Sequence, residues 1–203
     1  MGSNPLSVGS VKSLCHWYDS PKQGKTFLDP LKLMMTVEKN IIEGKKEHLE
    51  SIYHVIQRAK EMDNSHFPQW PVDNDYPSRK DILEDLVGGG YFIFLDDDIN
   101  KGSVVMNENE AEQYQELEWK GIKPLAIHRL VVHPQFRQEK IAFQLMQHCI
   151  AEARRQGYDS FRLDTYSLNK RANNFYQKLG FEFRGCVNLP FMPEKYNCYE
   201  LIL

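Results

Sequence analysis

The sequence predicts an α/β or α+β fold, a sheet with helices on its faces. Three observations carry that expectation. Segments with an apolar period near 3.6 interleave along the chain with short runs of β-branched and aromatic residues. Gly and Pro fall between these segments rather than inside them. The chain has 203 residues, of which 41% are hydrophobic and 26% charged. That suits one domain, or one domain with an extension, able to bury a core without disulfides or a structural metal.

Each element can be justified in turn. Residues 1–34 are rich in Gly, Ser, Pro and Lys and show no sustained apolar period. They are read as an N-terminal extension: a short segment that packs on the domain, a cloning remnant, or a start assigned too far upstream. A single domain is expected over residues 35–203. A first strand is expected over 36–42 and a helix over 45–62, where Leu49, Ile52, Tyr53, Ile56 and Ala59 form one stripe. Residues 64–77 form a loop rich in Pro, Asp and aromatics. Ser78 opens a second helix, with Asp81 completing a capping box, and Gly88, Gly89 and Gly90 end it.

Residues 91–95 read as a strand, 96–100 as a turn and 102–106 as its hairpin partner. Residues 107–121 are acidic, holding Glu108, Glu110, Glu112, Glu116 and Glu118, and are expected to be mainly a solvated surface anchored by Trp119. A strong strand spans 125–132. The best helix spans 141–155, with Ile141, Leu145, Cys149 and Ala153 at steps of four before Gly157 stops it. In 160–166, Phe161, Leu163 and Thr165 share one face while Arg162, Asp164 and Tyr166 share the other. A helix over 170–179, capped by Gly180, and strands over 181–185 and 196–203 close the chain.

Composition also excludes. Lys and Arg total 25 against 28 Asp and Glu, a net charge of -3, so no basic excess points to nucleic acid. No apolar run approaches the roughly 20 residues of a membrane span. Cys15, Cys149, Cys186 and Cys198 form no CxxC pair, and the first ten residues lack a secretory signal. A cytoplasmic protein with reduced thiols is expected. The seven histidines make no HExxH or HxH pattern, so no metal site is expected. No GxxxxGK[ST] is present, which removes a nucleotide P-loop.

Residues 125–155 carry the chemistry. A strand runs through His133 and Pro134 into the polar segment Arg137, Gln138, Glu139, Lys140 and then directly into a helix. The first helical amides lack intrahelical acceptors, and with the helix dipole they make an anion site. Arg137 adds charge, and Ala142 lets a ligand approach the backbone. Taken alone, such a turn is more often purely structural. A second block follows a strand at tight spacing: Asn169, Ala172, Phe175, Tyr176, Leu179, Gly180 and Phe181. Together the blocks resemble the GNAT superfamily of N-acetyltransferases, whose patterns read LxVxPxxRxxGxG/A and NxxAxxxYxxxGF. The resemblance covers about residues 35–203 and is strongest over 127–181.

The resemblance implies a twisted, mostly antiparallel sheet of six or seven strands flanked by about four helices. It implies acetyl-CoA as donor, no metal, and a primary amine as acceptor, attacked directly without a covalent enzyme intermediate. Leu130, Val131 and Val132 would offer backbone groups to the pantetheine arm. Arg137, Gln138, Lys140, Ile141 and Ala142 would hold the pyrophosphate. Asn169 and Ala172 would line the arm, and Tyr176 would protonate the departing thiolate. The family's central glycine falls at Lys140, which a helical conformation would accommodate without strain.

If the strand alternates without interruption, His128 shares a face with Leu130 and Val132 and is the candidate base. Trp70 and Tyr76, with Phe67, are candidates for an acceptor wall; equally they are aromatics that pin their loop to the core. The expected acceptor is a small or amino-acid-like amine. Alternatives are a protein N-terminus or lysine, or an acyl-CoA sensor without turnover. A homodimer is left open.

Overall fold

The computed structural model describes residues 40–63, 68–71 and 75–203. The readings made for residues 1–34, the start of the first strand and Phe67 lie outside these residues. Seven strands form one sheet: β1 (Ile41–Glu43), β2 (Tyr91–Asp96), β3 (Ile99–Asn107), β4 (Pro124–Val132), β5 (Ser160–Tyr166), β6 (Glu182–Val187) and β7 (Tyr196–Ile202). The order is β1-β2-β3-β4-β5-β7-β6, and every neighbouring pair is antiparallel except β4 with β5. Among the described residues, four α-helices cover it: α1 (Leu49–Asp63), α2 (Arg79–Gly88), α3 (Ile141–Arg155) and α4 (Lys170–Lys178).

The helices divide between the faces. Ile141, Leu145 and Cys149 of α3, with Tyr176 of α4, pack on Val104, Leu125, Ile127, Phe161 and Leu163. On the other face, Ile52 and Ile56 of α1 and Ile82 and Leu86 of α2 pack on Tyr91, Ile93, Val105 and Val131. Truncating one of these buried aliphatics to alanine typically costs about 2–5 kcal/mol.

Local chemistry explains the ends of these elements. The capping box of α2 is formed: the Ser78 hydroxyl accepts from the Asp81 amide at 3.3 Å, and the Asp81 carboxylate accepts from the Ser78 amide at 2.7 Å. The β2–β3 turn is tighter than residues 96–100. Asp97 and Asp98 both take positive φ, 47° and 62°, the left-handed pair that matches strand twist in a two-residue hairpin. At Gly90, φ is 74° and an added Cβ would lie 1.9 Å from the Met106 carbonyl oxygen, so only glycine lets the chain pass there.

Two irregularities in β4 create the site. Its register on β3 runs Ser103 with Val131 and then Val105 with His128, so Arg129 and Leu130 oppose Val104 alone. Arg129 takes φ 49° at this bulge. The bulge removes the condition, uninterrupted alternation, under which His128 would share a face with Leu130 and Val132. Leu130 and Val132 pack on the α3 face, whereas His128 pairs with Val105 and so shares the α1 face. The second irregularity is a fork. β4 and β5 pair only through Pro124–Ser160, Leu125–Phe161 and Ala126–Arg162 before they separate.

Candidate active site

The α3 side of the fork is built from main chain. After His133, whose Nδ1 accepts from the Gln135 amide at 3.3 Å, residues Pro134–Glu139 form a 3-10 helix rather than an irregular loop. Lys140 then has φ 58° and ψ 25°, a left-handed conformation and not the helical one that would spare it strain. Glycine takes this shape freely; a residue with a Cβ holds it at about 1–2 kcal/mol. The turn therefore keeps the backbone shape a glycine would give. The first α3 bond is donated by Gln144 to the Lys140 carbonyl at 3.1 Å, so the Ile141 and Ala142 amides have no acceptor within the helix.

The side chains behind this turn are tied down. Both Arg137 nitrogens donate to the carboxylate of Asp63 at the end of α1, one of them at 2.8 Å. Arg171, from α4, donates to the same carboxylate at 2.7 Å. Asp63, nearly buried, thus joins α1 to both arms of the fork. Gln138 is exposed. Within the fork, the His133 amide donates to the Lys101 carbonyl on β3 at 2.8 Å. Strand alternation then turns the backbone groups of Val132 and Leu130 toward the gap. Gln69 Nε2 already donates to the Leu130 carbonyl at 2.9 Å. The Val131 side chain is buried against α1.

Three titratable groups sit on the elements that border the gap, His128 on β4, Asp164 on β5 and Tyr176 on α4. His128 Nε2 lies 2.9 Å from the Asn109 carbonyl and 3.2 Å from Asn107 Oδ1. Two acceptors on one nitrogen place the hydrogen there and leave Nδ1 as the basic atom. Burial, then the charge of Arg129, pushes the His128 pKa down to about 4. Tyr176 is buried between Phe175 and Phe181, and its hydroxyl has no hydrogen-bond partner among the described residues. Burial, then the charge of Asp164, raises its pKa. Asp164, on β5, accepts from the Tyr114 hydroxyl at 2.8 Å. Burial raises its pKa against that hydrogen bond.

The second block mostly organises α4. Asn169 is buried and caps the helix, its Oδ1 accepting from the Ala172 amide at 3.0 Å, while Ala172 packs on the α3-side core. Asn173 is unmarked by any periodicity. It donates to the Tyr166, Ser167 and Asn169 carbonyls and accepts from Asn197 and Tyr199, tying α4 to β5 and β7.

On the opposite face, Trp70 is buried in the core with α1 and α2, the loop-pinning role. Tyr76 is half-buried, stacks on Phe191 at 4.4 Å, and lies 5.8 Å from the Arg129 guanidinium. Arg129 pairs with Asp85 of α2 at 2.5 Å.

The acidic segment is less solvated than expected. Tyr114 is buried, and Trp119 donates to its carbonyl at 2.8 Å. Glu110 binds Arg162 at 3.0 Å, and Glu108 accepts from Tyr158. Sequence reading missed Tyr114, Asp164 and Gln69, since their partners lie about fifty or more residues away. Among the described residues, no group of three His, Cys, Asp or Glu side chains is placed to hold a metal, and no helix is long and apolar enough to cross a membrane.

A forked sheet with a helix N-terminus at its open end defines a class that comparison with known proteins makes specific. The family model described as "Acetyltransferase (GNAT) family" matches residues 49–181. The chain belongs to that family. It is 29% identical over 116 residues to the probable N-acetyltransferase camello of Xenopus tropicalis, covering 51% of this chain and 52% of that protein. The chain thus spans about half the length of this curated relative. Two solved structures share the fold. A GNAT-family acetyltransferase from Streptococcus agalactiae is 22% identical with a TM-score of 0.68, over 80% of this chain and 94% of that one. An N-acetyltransferase from Staphylococcus aureus Mu50 is 20% identical with a TM-score of 0.58, over 80% and 96%.

Proposed function

We propose that this chain moves an acetyl group from acetyl-CoA to a primary amine, a small or amino-acid-like molecule, by direct attack. The supporting observation is the fork itself. Unpaired β4 backbone faces a gap, with α3 amides at its open end, and Tyr176 of α4 is buried in the core on the α3 face of the sheet.

The residues divide the work. The Ile141 and Ala142 amides and the positive end of α3 hold the pyrophosphate, and the left-handed Lys140 gives the turn its shape. Leu130 and Val132 pair with the pantetheine arm, which displaces Gln69 from the Leu130 carbonyl. Backbone N–H at the bulge stabilises the oxyanion of the tetrahedral intermediate. Tyr176, kept protonated by burial, gives its proton to the thiolate as the C–S bond breaks. His128 is neutral at pH 7. Its low basicity suits a polar contact on the acceptor side better than removal of an ammonium proton.

The test is thiol release from acetyl-CoA against amines, polyamines, amino acids and peptides, with calorimetric binding of acetyl-CoA as its partner. Saturable binding and turnover of a small amine are expected. Absence of binding defeats the reading; turnover of peptides alone moves the acceptor to a macromolecule.

A further inference from the structure

The two arms of the fork offer an incoming amine opposite fields. Continuing the register of Ala126 with Arg162 brings His128 and Asp164 opposite each other, on the same face, where the strands part. On the β4 arm, burial and then the Arg129 charge disfavour a cation at His128. On the β5 arm, Asp164 is half-buried beside the point where the strands separate. Among the described residues, no lysine or arginine pairs with it and its one hydrogen bond comes from Tyr114.

Asp164 pairs in register with Cys198 of β7, and its charge acts on Tyr114 of the acidic segment, Tyr176 of α4, Tyr196 of β7 and Tyr76 of the loop before α2. The charged groups on this face are paired elsewhere, Arg162 with Glu110 and Glu200 and Arg129 with Asp85. A carboxylate surrounded by phenols and a thiol, with no cation of its own, lacks one partner: a positive charge that arrives with a ligand.

We propose that Asp164 seats the acceptor's ammonium group and takes its proton, making the acceptor a cationic primary amine. This rests on the acetyl-transfer reading above. The ammonium gives one proton to Asp164, leaving a neutral amine and a carboxylic acid. The amine nitrogen bonds to the thioester carbon, and the carbonyl electrons move onto oxygen. As the intermediate collapses, the C–S bond breaks and the sulfur takes the Tyr176 proton. The amide nitrogen's surplus proton returns to the tyrosinate, and Asp164 releases its proton to water. One proton leaves per amide formed. Asp164 also links the two ends of the cycle. Ionised, it holds the Tyr176 proton in place; once protonated, it no longer does, at the stage when the thiolate needs that proton.

The experiment compares the full chain with Asp164→Asn and Tyr114→Phe, using the amine the panel selects. For Asp164→Asn, kcat/KM is expected to fall about 100-fold or more, with the acidic limb of its pH profile lost and acetyl-CoA binding unchanged by calorimetry. Tyr114→Phe removes a hydrogen bond that favours the carboxylate, so its acidic limb is expected to move to higher pH. Unchanged rate and limb in a folded Asp164→Asn protein overturn the assignment and leave acetyl transfer standing. If Asp164→Asn fails to fold, Tyr114→Phe decides: a limb that stays in place, or moves to lower pH, overturns it. A wild-type chain that binds no acetyl-CoA, or acetylates no amine, overturns both readings.

Discussion

The two sides of the fork hold charge by different means. On the α3 side, positive potential comes from backbone amides and a helix dipole, and the nearby Arg137 is already committed to Asp63. On the side shared by α1, α2 and the acidic segment, charge is carried by buried side chains. Glu200 is fully buried and accepts from Arg184 at 2.8 Å and from the Lys120 and Gly121 amides at 2.9 Å. Arg162 lies 3.7 Å from the same carboxylate and 4.7 Å from the Trp119 ring. Backbone dipoles tolerate side-chain replacement, whereas a buried ion network loses its balance when one member is removed.

That contrast can be broken by measurement. The largest effect is expected from Glu200→Ala, which removes the buried acceptor shared by two arginines and two amides and leaves Arg162 to Glu110 and Arg184 to Glu182: a loss of about 3–5 kcal/mol in chemical denaturation. A loss below about 1 kcal/mol would show that water replaces the network easily. Next comes His128. Its folded pKa of about 4 lies below the ordinary value, so its neutral form is favoured by folding. Its contribution is complete above about pH 6.5 and is lost as pH falls toward 4, amounting to about 2–3 kcal/mol. Urea denaturation at pH 7 and pH 4.5 should show this drop in wild type and a smaller one in His128→Gln.

The main-chain side should respond more weakly. Asp63→Asn is expected to lower stability by about 1–2 kcal/mol, since both of its arginines are partly exposed. Acetyl-CoA affinity should change less than about threefold if amides carry the phosphate contact. The smallest effect should be a gain. Lys140→Gly relieves a left-handed lysine but frees the unfolded chain, for a net stabilisation of about 0.5–1 kcal/mol by thermal melt.

The same contrast explains what was legible in the sequence. The α3 side was readable because its determinants are local: the Ile141, Leu145, Cys149 stripe spans residues 141–155, as α3 does, and Ser78 with Asp81 caps α2 as spacing predicts. The mixed sheet and its four helices follow from such local patterns. The other side depends on events that periodicity cannot encode. One bulge at Arg129 moves His128 to the opposite face from Leu130. Asp164 reads as an ordinary outward-facing residue until Tyr114 closes over it. Lys140 looked compatible with a helix because its φ is set by the turn and not by its own preference.

The fork has one more consequence. With three residue pairs joining β4 to β5, the sheet is mechanically two half-sheets, β1 to β4 and β5 to β7, sharing a short seam. A pantetheine arm lying in the gap would serve as the missing rung between them. Ligand binding should then slow amide hydrogen exchange along β4 and β5 beyond the seam, in residues the ligand stiffens as well as those it touches.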